Sequence, residues 1–178
     1  LVKRRPQSYY YLTDHLGSIR ATVKGGEVMV EEDFSGGLSQ WTVTSGGPFT
    51  IENGELSCSA SGTNILVNSS TRTFGDGILT VDGKFIGTGD NRSAYVIVRY
   101  QDANNFYLVI PMGATVKIYE RLGGTYYSRQ SGNLSEAIAP NTMHRMQIVA
   151  EGGKLSVFWD YATTPVVAPA WTLRFEQA

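Results

Sequence analysis

Residues that carry chemistry are scarce in this chain. Of its 178 residues only one is cysteine, Cys58, and only two are histidine, His15 and His144. A lone cysteine excludes an internal disulfide and leaves the redox compartment open. Cys58 alternates with Leu56 and Ala60, the pattern of a small buried apolar residue. The two histidines lie on segments with no shared motif, which argues against a two-histidine metal site. No Gly-x-Ser-x-Gly elbow and no α/β sheet to carry one are visible, so a serine nucleophile of that type is excluded. A glycine-rich phosphate loop opening a helix is also missing. Charged residues make up 17% of the chain and the net charge is −1. Such a balance sets up no global field for nucleic acid, and no basic stripe interleaved with aromatics occurs. The one basic cluster, Lys3-Arg4-Arg5, reads as a solvated terminus or a processing site. No apolar run reaches the roughly 18 residues of a membrane span. The chain starts at Leu1 without a signal-peptide pattern, which fits a piece excised from a longer polypeptide.

Turn and strand chemistry is abundant instead. The 20 glycines exceed the usual share of about 7%, and 10 tyrosines and 7 phenylalanines accompany them. Helical periodicity is nearly absent; its best stretch, Leu134 to Ala139, is cut short by Pro140. Three short extended runs come first: Tyr9 to Thr13, Ile19 to Lys24 and Glu27 to Glu32. A turn at His15 to Ser18 separates the first two, and Gly25-Gly26 separates the others. From Asp33 onward, strand patterns recur at spacings of about 8 to 12 residues, which means a β-sandwich or barrel. Gly123-Gly124, Gly152-Gly153 and Asp102 to Asn105 are among the turns. Leu79 and Val81 mark one face of their strand, and Met146, Ile148 and Ala150 one face of another. Ala94 to Tyr100 is apolar on both faces and reads as a central strand. Val96, Val98, Leu108, Ile110, Ile118, Ile148 and Val157 are expected in the core. Trp41, Trp159 and Trp171 are expected to fill space there too.

Two resemblances refine this reading. The string Tyr9 to Val23, with Asp-His-Leu-Gly-Ser at its centre, resembles the Tyr-Asp repeat of Rhs-type bacterial surface and toxin-shell proteins. The likeness covers about residues 8–32. The segments Asp33 to Trp41, Phe49 to Leu56, Val96 to Val109, Val116 to Gly124 and Met143 to Asp160 together resemble the concanavalin A-like, laminin-G-type jelly roll. The expected architecture is therefore all-β: an antiparallel two-sheet jelly-roll sandwich over 33–178, with an N-terminal strand or hairpin in 1–32. Relative to that family the C-terminus looks shortened, and Pro165 and Pro169 suggest edge or irregular structure there. The resemblance implies an extracellular or cell-surface location in a bacterium.

Catalysis finds no support in the sequence. Retaining glycosidases of this broad fold carry a Glu-x-Asp-x-x-Glu strand that puts two carboxylates on one face, and no such strand occurs. Glu52 and Glu55 merely flank a hairpin turn, and Glu31-Glu32-Asp33 reads as a solvated edge. No cofactor is expected, apart from a structural calcium that the jelly-roll resemblance allows. Its candidate oxygen ligands are Asp33, Asp76, Asp90 and Asp102.

Two functions are consistent with these features. In the first, a non-catalytic surface module uses its N-terminal segment to complete an open sheet, its own or that of a neighbouring copy. Tyr9, Tyr11, Leu16, Ile19 and Val23 would anchor the added strand. Addition to a neighbour would give a homo-oligomer that propagates into a fibre. The alternative, implied by the jelly-roll resemblance, is a lectin-like module that binds polysaccharide in adhesion. Tyr107, Tyr119, Tyr126 and Tyr127 would supply its aromatic surface, and Arg99 and Arg129 would bond sugar hydroxyls.

Overall fold

A computed structural model describes residues 10–11, 15–23, 28–39, 41–58, 65–68, 76–84 and 95–167. Among the described residues there are fourteen strands and no helix. They run β1 Tyr10–Tyr11, β2 His15–Val23, β3 Val28–Glu32, β4 Trp41–Ser45, β5 Thr50–Glu52, β6 Glu55–Ser57 and β7 Ile65–Asn68. The remaining seven are β8 Gly77–Lys84, β9 Val96–Asp102, β10 Asn105–Met112, β11 Thr115–Leu122, β12 Thr125–Asn133, β13 Met143–Glu151 and β14 Lys154–Trp159. One sheet has the order β12-β11-β10-β9-β1-β7-β4; the other has β14-β13-β8-β2-β6-β5, with β3 beside β2. Every strand pair is antiparallel. The architecture is the two-sheet jelly-roll sandwich that the resemblance implies, and the sandwich is one of the two forms that the strand spacing allows.

Side-chain alternation explains how the sheets meet. Leu79, Val81, Met146, Ile148, Ala150, Leu155 and Val157 point inward from one sheet. From the other come Val96, Val98, Tyr107, Val109, Val116 and Ile118, and the two sets form one buried core. Each buried aliphatic side chain contributes roughly 1.5–3 kcal/mol relative to exposure. Cys58 is buried and free, as its spacing predicts. Of the expected core positions that are described, Ile110, on the outer face of β10, and Trp159 are partly exposed, while Trp171 is outside the described residues.

The hairpins follow their turn chemistry. Asp102 Oδ1 accepts bonds from Asn104 N (2.7 Å) and Asn105 Nδ2 (2.9 Å), closing β9 onto β10. At the β11–β12 turn Gly123 and Gly124 have φ of 56° and 86°, a left-handed region that L side chains adopt only at a cost.

The N-terminal segment is woven into both sheets of its own chain. β1 pairs with β7 on one side and β9 on the other. β2 runs along β8 from His15↔Lys84 to Val23↔Gly77, while β6 and β3 share its other edge. Of the two expected destinations for this segment, its own sheet is the one occupied. The backbones of Tyr11, Leu16, Ile19 and Val23 lie in these strands, whereas Tyr9 is outside the described residues. The turn expected at His15 to Ser18 is not there. Those residues open β2, and the register shifts between Leu16 and Ser18. A glycine in a strand favours such a bulge, because it absorbs one extra residue without a side-chain clash. Leu134 to Ala139, which Pro140 cuts short in the sequence, forms no helix. That stretch is an irregular connection, tied down by Leu134 N to Ala114 O (2.9 Å) and Ile138 N to Gly113 O (2.9 Å).

Candidate functional site

Sheet alternation splits the aromatic residues of β9 to β12 between two faces. On the outer face, away from the second sheet, Ile97, Phe106 and Leu108 form a small buried cluster. Tyr95, Tyr100, Ile110 and Tyr119 pack around it, partly exposed. Phe106 stacks on Tyr100 (centroids 6.0 Å apart) and meets Tyr126 edge-on at 6.3 Å. The Arg121 guanidinium lies 5.5 Å from the Phe106 ring centre and 5.0 Å from that of Tyr126. Strand pairing makes this geometry, since Arg121 is directly opposite Tyr126 across the β11–β12 hairpin. Arg121 Nε also donates to Gly124 O (3.3 Å). Tyr126 remains 49% exposed, so one side of this stack is open to solvent. Burial pushes the Tyr100 hydroxyl pKa up, nearby Asp102 adds to the rise, and Arg121 opposes it. The hydroxyl therefore stays a proton donor throughout the neutral range.

The inner face at the same edge holds a different arrangement. Glu120 is fully buried. It accepts a bond from Tyr107 Oη at 3.0 Å and one from Arg129 Nε at 2.8 Å, with Arg129 Nη2 also bonded to it. Arg129 sits where the β11–β12 register shifts and lies 5.2 Å from the Tyr127 ring centre. This network satisfies a buried carboxylate, as a sandwich edge requires.

The six residues expected to contact glycan are thus not one patch. Tyr119 and Tyr126 share the outer face. Tyr127, 42% exposed, and Arg129 belong to the inner network. Tyr107 is fully buried and Arg99 is 2% exposed, so neither belongs to a surface platform. Tyr107 has the parity of core residue Val109, two positions on, which settles its face. Arg99 has φ 54° at the point where β9 and β10 shift register. Its side chain enters the interior, where it donates to Asp76 Oδ1 (2.9 Å) and Gly152 O (2.8 Å). Arg121, Phe106 and Tyr100 escape the sequence reading, although alternation of Lys117, Tyr119 and Arg121 against Val116, Ile118 and Glu120 was available to find Arg121.

The three described calcium candidates each have partners of their own. Asp76 is engaged by Arg99 and by Gly152 N (3.0 Å). Asp33 accepts from Ser35 N (2.9 Å), and Asp102 closes its own turn. Bonds from the Ser35 side chain and then its backbone hold the Asp33 carboxyl below the usual carboxylate range, and bonds from the Asn105 side chain and then Asn104 N do the same for Asp102. Asp90 is outside the described residues. Among the described residues no group of three or more His, Cys, Asp or Glu is placed to hold a metal ion. None of the described residues forms a helix long and apolar enough to cross a membrane.

A second polar cluster decorates the other sheet. Arg145 makes a bidentate pair with Asp82 (2.6 and 2.5 Å) and lies 4.8 Å from the ring centre of Tyr161, which is 75% exposed. His144 Nδ1 is 2.7 Å from Asp160 Oδ2, and its ring stacks on Trp159 at 5.2 Å.

No family model, Rhs-type or other, matches the chain. No curated protein matches it either. Among solved structures, the carbohydrate-binding module CBM66 from Bacillus subtilis is similar, with a TM-score of 0.50. The alignment covers 80% of this chain and 85% of that one at 19% identity. At that identity the likeness shows a shared β-sandwich fold.

Proposed function

We propose that this chain is a non-catalytic carbohydrate-binding module of the cell exterior, taking its glycan on the outer face of β9 to β12. One observation carries the reading: the Arg121 guanidinium is fixed between Phe106 and a half-exposed Tyr126, with Tyr119 and Tyr100 on the same face. A sugar ring has an apolar C–H face and a rim of hydroxyls. Tyrosine matches both halves, offering a flat apolar body and a polar tip. Arg121 adds donors already oriented by stacking, so little side-chain entropy is lost on binding. The similar fold of the Bacillus subtilis carbohydrate-binding module supports the same class.

The two carboxylates weighed for catalysis do not form a pair across a cleft. Glu52 and Glu55 flank one turn, and Glu55 is paired with Lys84 at 2.6 Å. Strand addition to a neighbouring copy loses its motive, because β1 and β2 have partners on both sides within their own chain.

Affinity gel electrophoresis against a panel of soluble polysaccharides tests the proposal. At least one polymer should retard the chain, and Tyr126→Ala with Tyr119→Ala should weaken that binding about tenfold, equivalent to about 1.4 kcal/mol. No retardation by any polymer in the panel, with the protein folded, would end this reading.

A further inference from the structure

We infer that the glycan bound on this face is an acidic polysaccharide, one bearing carboxylate or sulfate groups; the inference rests on the carbohydrate-binding reading above. The outer side of β11 presents Lys117, Tyr119 and Arg121 in alternation, while Val116, Ile118 and Glu120 point the other way. Lys117 and Arg121 are four residues apart on one strand, which sets their backbones about 13 Å apart. The result is a row of cation, aromatic, cation, with Tyr126 and Ser128 beside it on β12.

Neither cation has a carboxylate partner among the described residues, whereas Lys84, Arg99, Arg129 and Arg145 all do. Neither acid near this face pairs with Lys117 or Arg121, although Asp102 keeps its charge. Glu120 lies between Tyr119 and Arg121 in sequence but points inward to Tyr107 and Arg129. Asp102, at the end of the β9–β10 hairpin, accepts from Asn104 N and Asn105 Nδ2. With a net charge of −1, the chain as a whole does not attract anions. Among the described residues, Lys117 and Arg121 bring two such cations to the aromatic face, while Lys154, also without a carboxylate partner, stands at the β13–β14 hairpin. Arg121 spends Nε on Gly124 O, which leaves the terminal nitrogens of its planar fork for a bidentate anion.

The test titrates the intact chain with polygalacturonate, dextran sulfate and neutral dextran, following binding by calorimetry at about 150 mM salt. That ionic strength screens exposed charges beyond about 8 Å. Polygalacturonate or dextran sulfate should bind at least tenfold tighter than dextran. Comparing those two acidic polymers separates carboxylate from sulfate as the recognised group. Lys117→Gln and Arg121→Gln should each lower the acidic-to-neutral affinity ratio at least threefold. Arg121→Lys should restore only part of that ratio, since it returns charge without the fork. Lys117→Gln keeps the test valid if loss of Arg121 disturbs the stack with Phe106 and Tyr126. Equal affinity for acidic and neutral polymers, or ratios unchanged in both Gln variants, would overturn the inference and leave the carbohydrate reading standing. Binding to none of the three would overturn the inference, and the wider polysaccharide panel then decides the reading beneath it. Acidic binding that survives both Gln variants would place the anion elsewhere on the molecule and also refute the inference.

Discussion

Replacing Asp76 by alanine should be among the most destabilising single changes in this chain, although Asp76 is a partly exposed loop residue. Its side chain is 35% exposed, but the Arg99 side chain it neutralises is 2% exposed. Asp76 Oδ1 accepts from Arg99 Nη2 at 2.9 Å and from Gly152 N at 3.0 Å. Gly152 O in turn accepts from Arg99 at 2.8 Å, so three segments are tied at one point. Removing one partner of a buried ion pair costs about 3–5 kcal/mol, because the remaining charge is uncompensated. Arg99 keeps its bond to Gly152 O, and the alanine opens a path for water, so the lower end applies. A loss of about 3 kcal/mol corresponds to a fall of roughly 6–12 °C in Tm for a chain this long. Thermal and urea denaturation followed by circular dichroism measures it. The double variant Asp76→Ala, Arg99→Met should regain more than about 1 kcal/mol over Asp76→Ala alone, since it removes the stranded charge. If Asp76→Ala lies within about 0.5 kcal/mol of the wild type, Arg99 is solvated and the reasoning is wrong.

Three further outcomes follow from the same geometry. A Cβ added at Gly132 would meet Val166 O at 1.8 Å and Val166 C at 2.7 Å, both backbone; Gly132→Ala should therefore cost about 2–3 kcal/mol in urea denaturation, the upper range for overpacking. Tyr107→Phe removes a buried hydroxyl bond to the Glu120 carboxylate and should cost about 2 kcal/mol by the same assay, while polysaccharide binding is unchanged. Asn105 is the main cause of the low Asp102 pKa; a proton–carbon NMR titration should show Asn105→Ala moving it up toward the usual range. The sign is that of a lowered carboxylate: its contribution to stability is present above the unfolded-state pKa and disappears as pH falls through the folded one.

Much of the fold was legible because each strand solves a local problem. Leu79 and Val81 on β8 and Met146, Ile148 and Ala150 on β13 each mark one face by a period of two, and the two strands pair with those faces together in the core. The glycine pairs and the Asp102 to Asn105 turn mark hairpins by their own backbone chemistry. The place of β2 was not legible, since its pairing with β8 joins residues some sixty positions apart and local pattern does not choose among distant edges. His15 to Ser18 reads equally well as a turn or as a bulged strand, and long-range pairing decides in favour of the strand. The candidate site was half legible. Tyrosine composition pointed to β10 through β12, yet the face of Tyr107 follows from the parity of Val109. The inward course of Arg99 depends on one left-handed residue, which no side-chain pattern announces.

The central claim is that glycan binds the outer face of β9 to β12. Side-chain and amide chemical-shift mapping by NMR, during titration with the polysaccharide that retards the chain most, tests it directly. The account predicts that the largest shifts fall on Tyr119, Arg121 and Tyr126, with Tyr100 and Lys117 next. Shifts centred on Arg145 and Tyr161 on the opposite sheet, with the outer face of β11 and β12 unchanged, would contradict it.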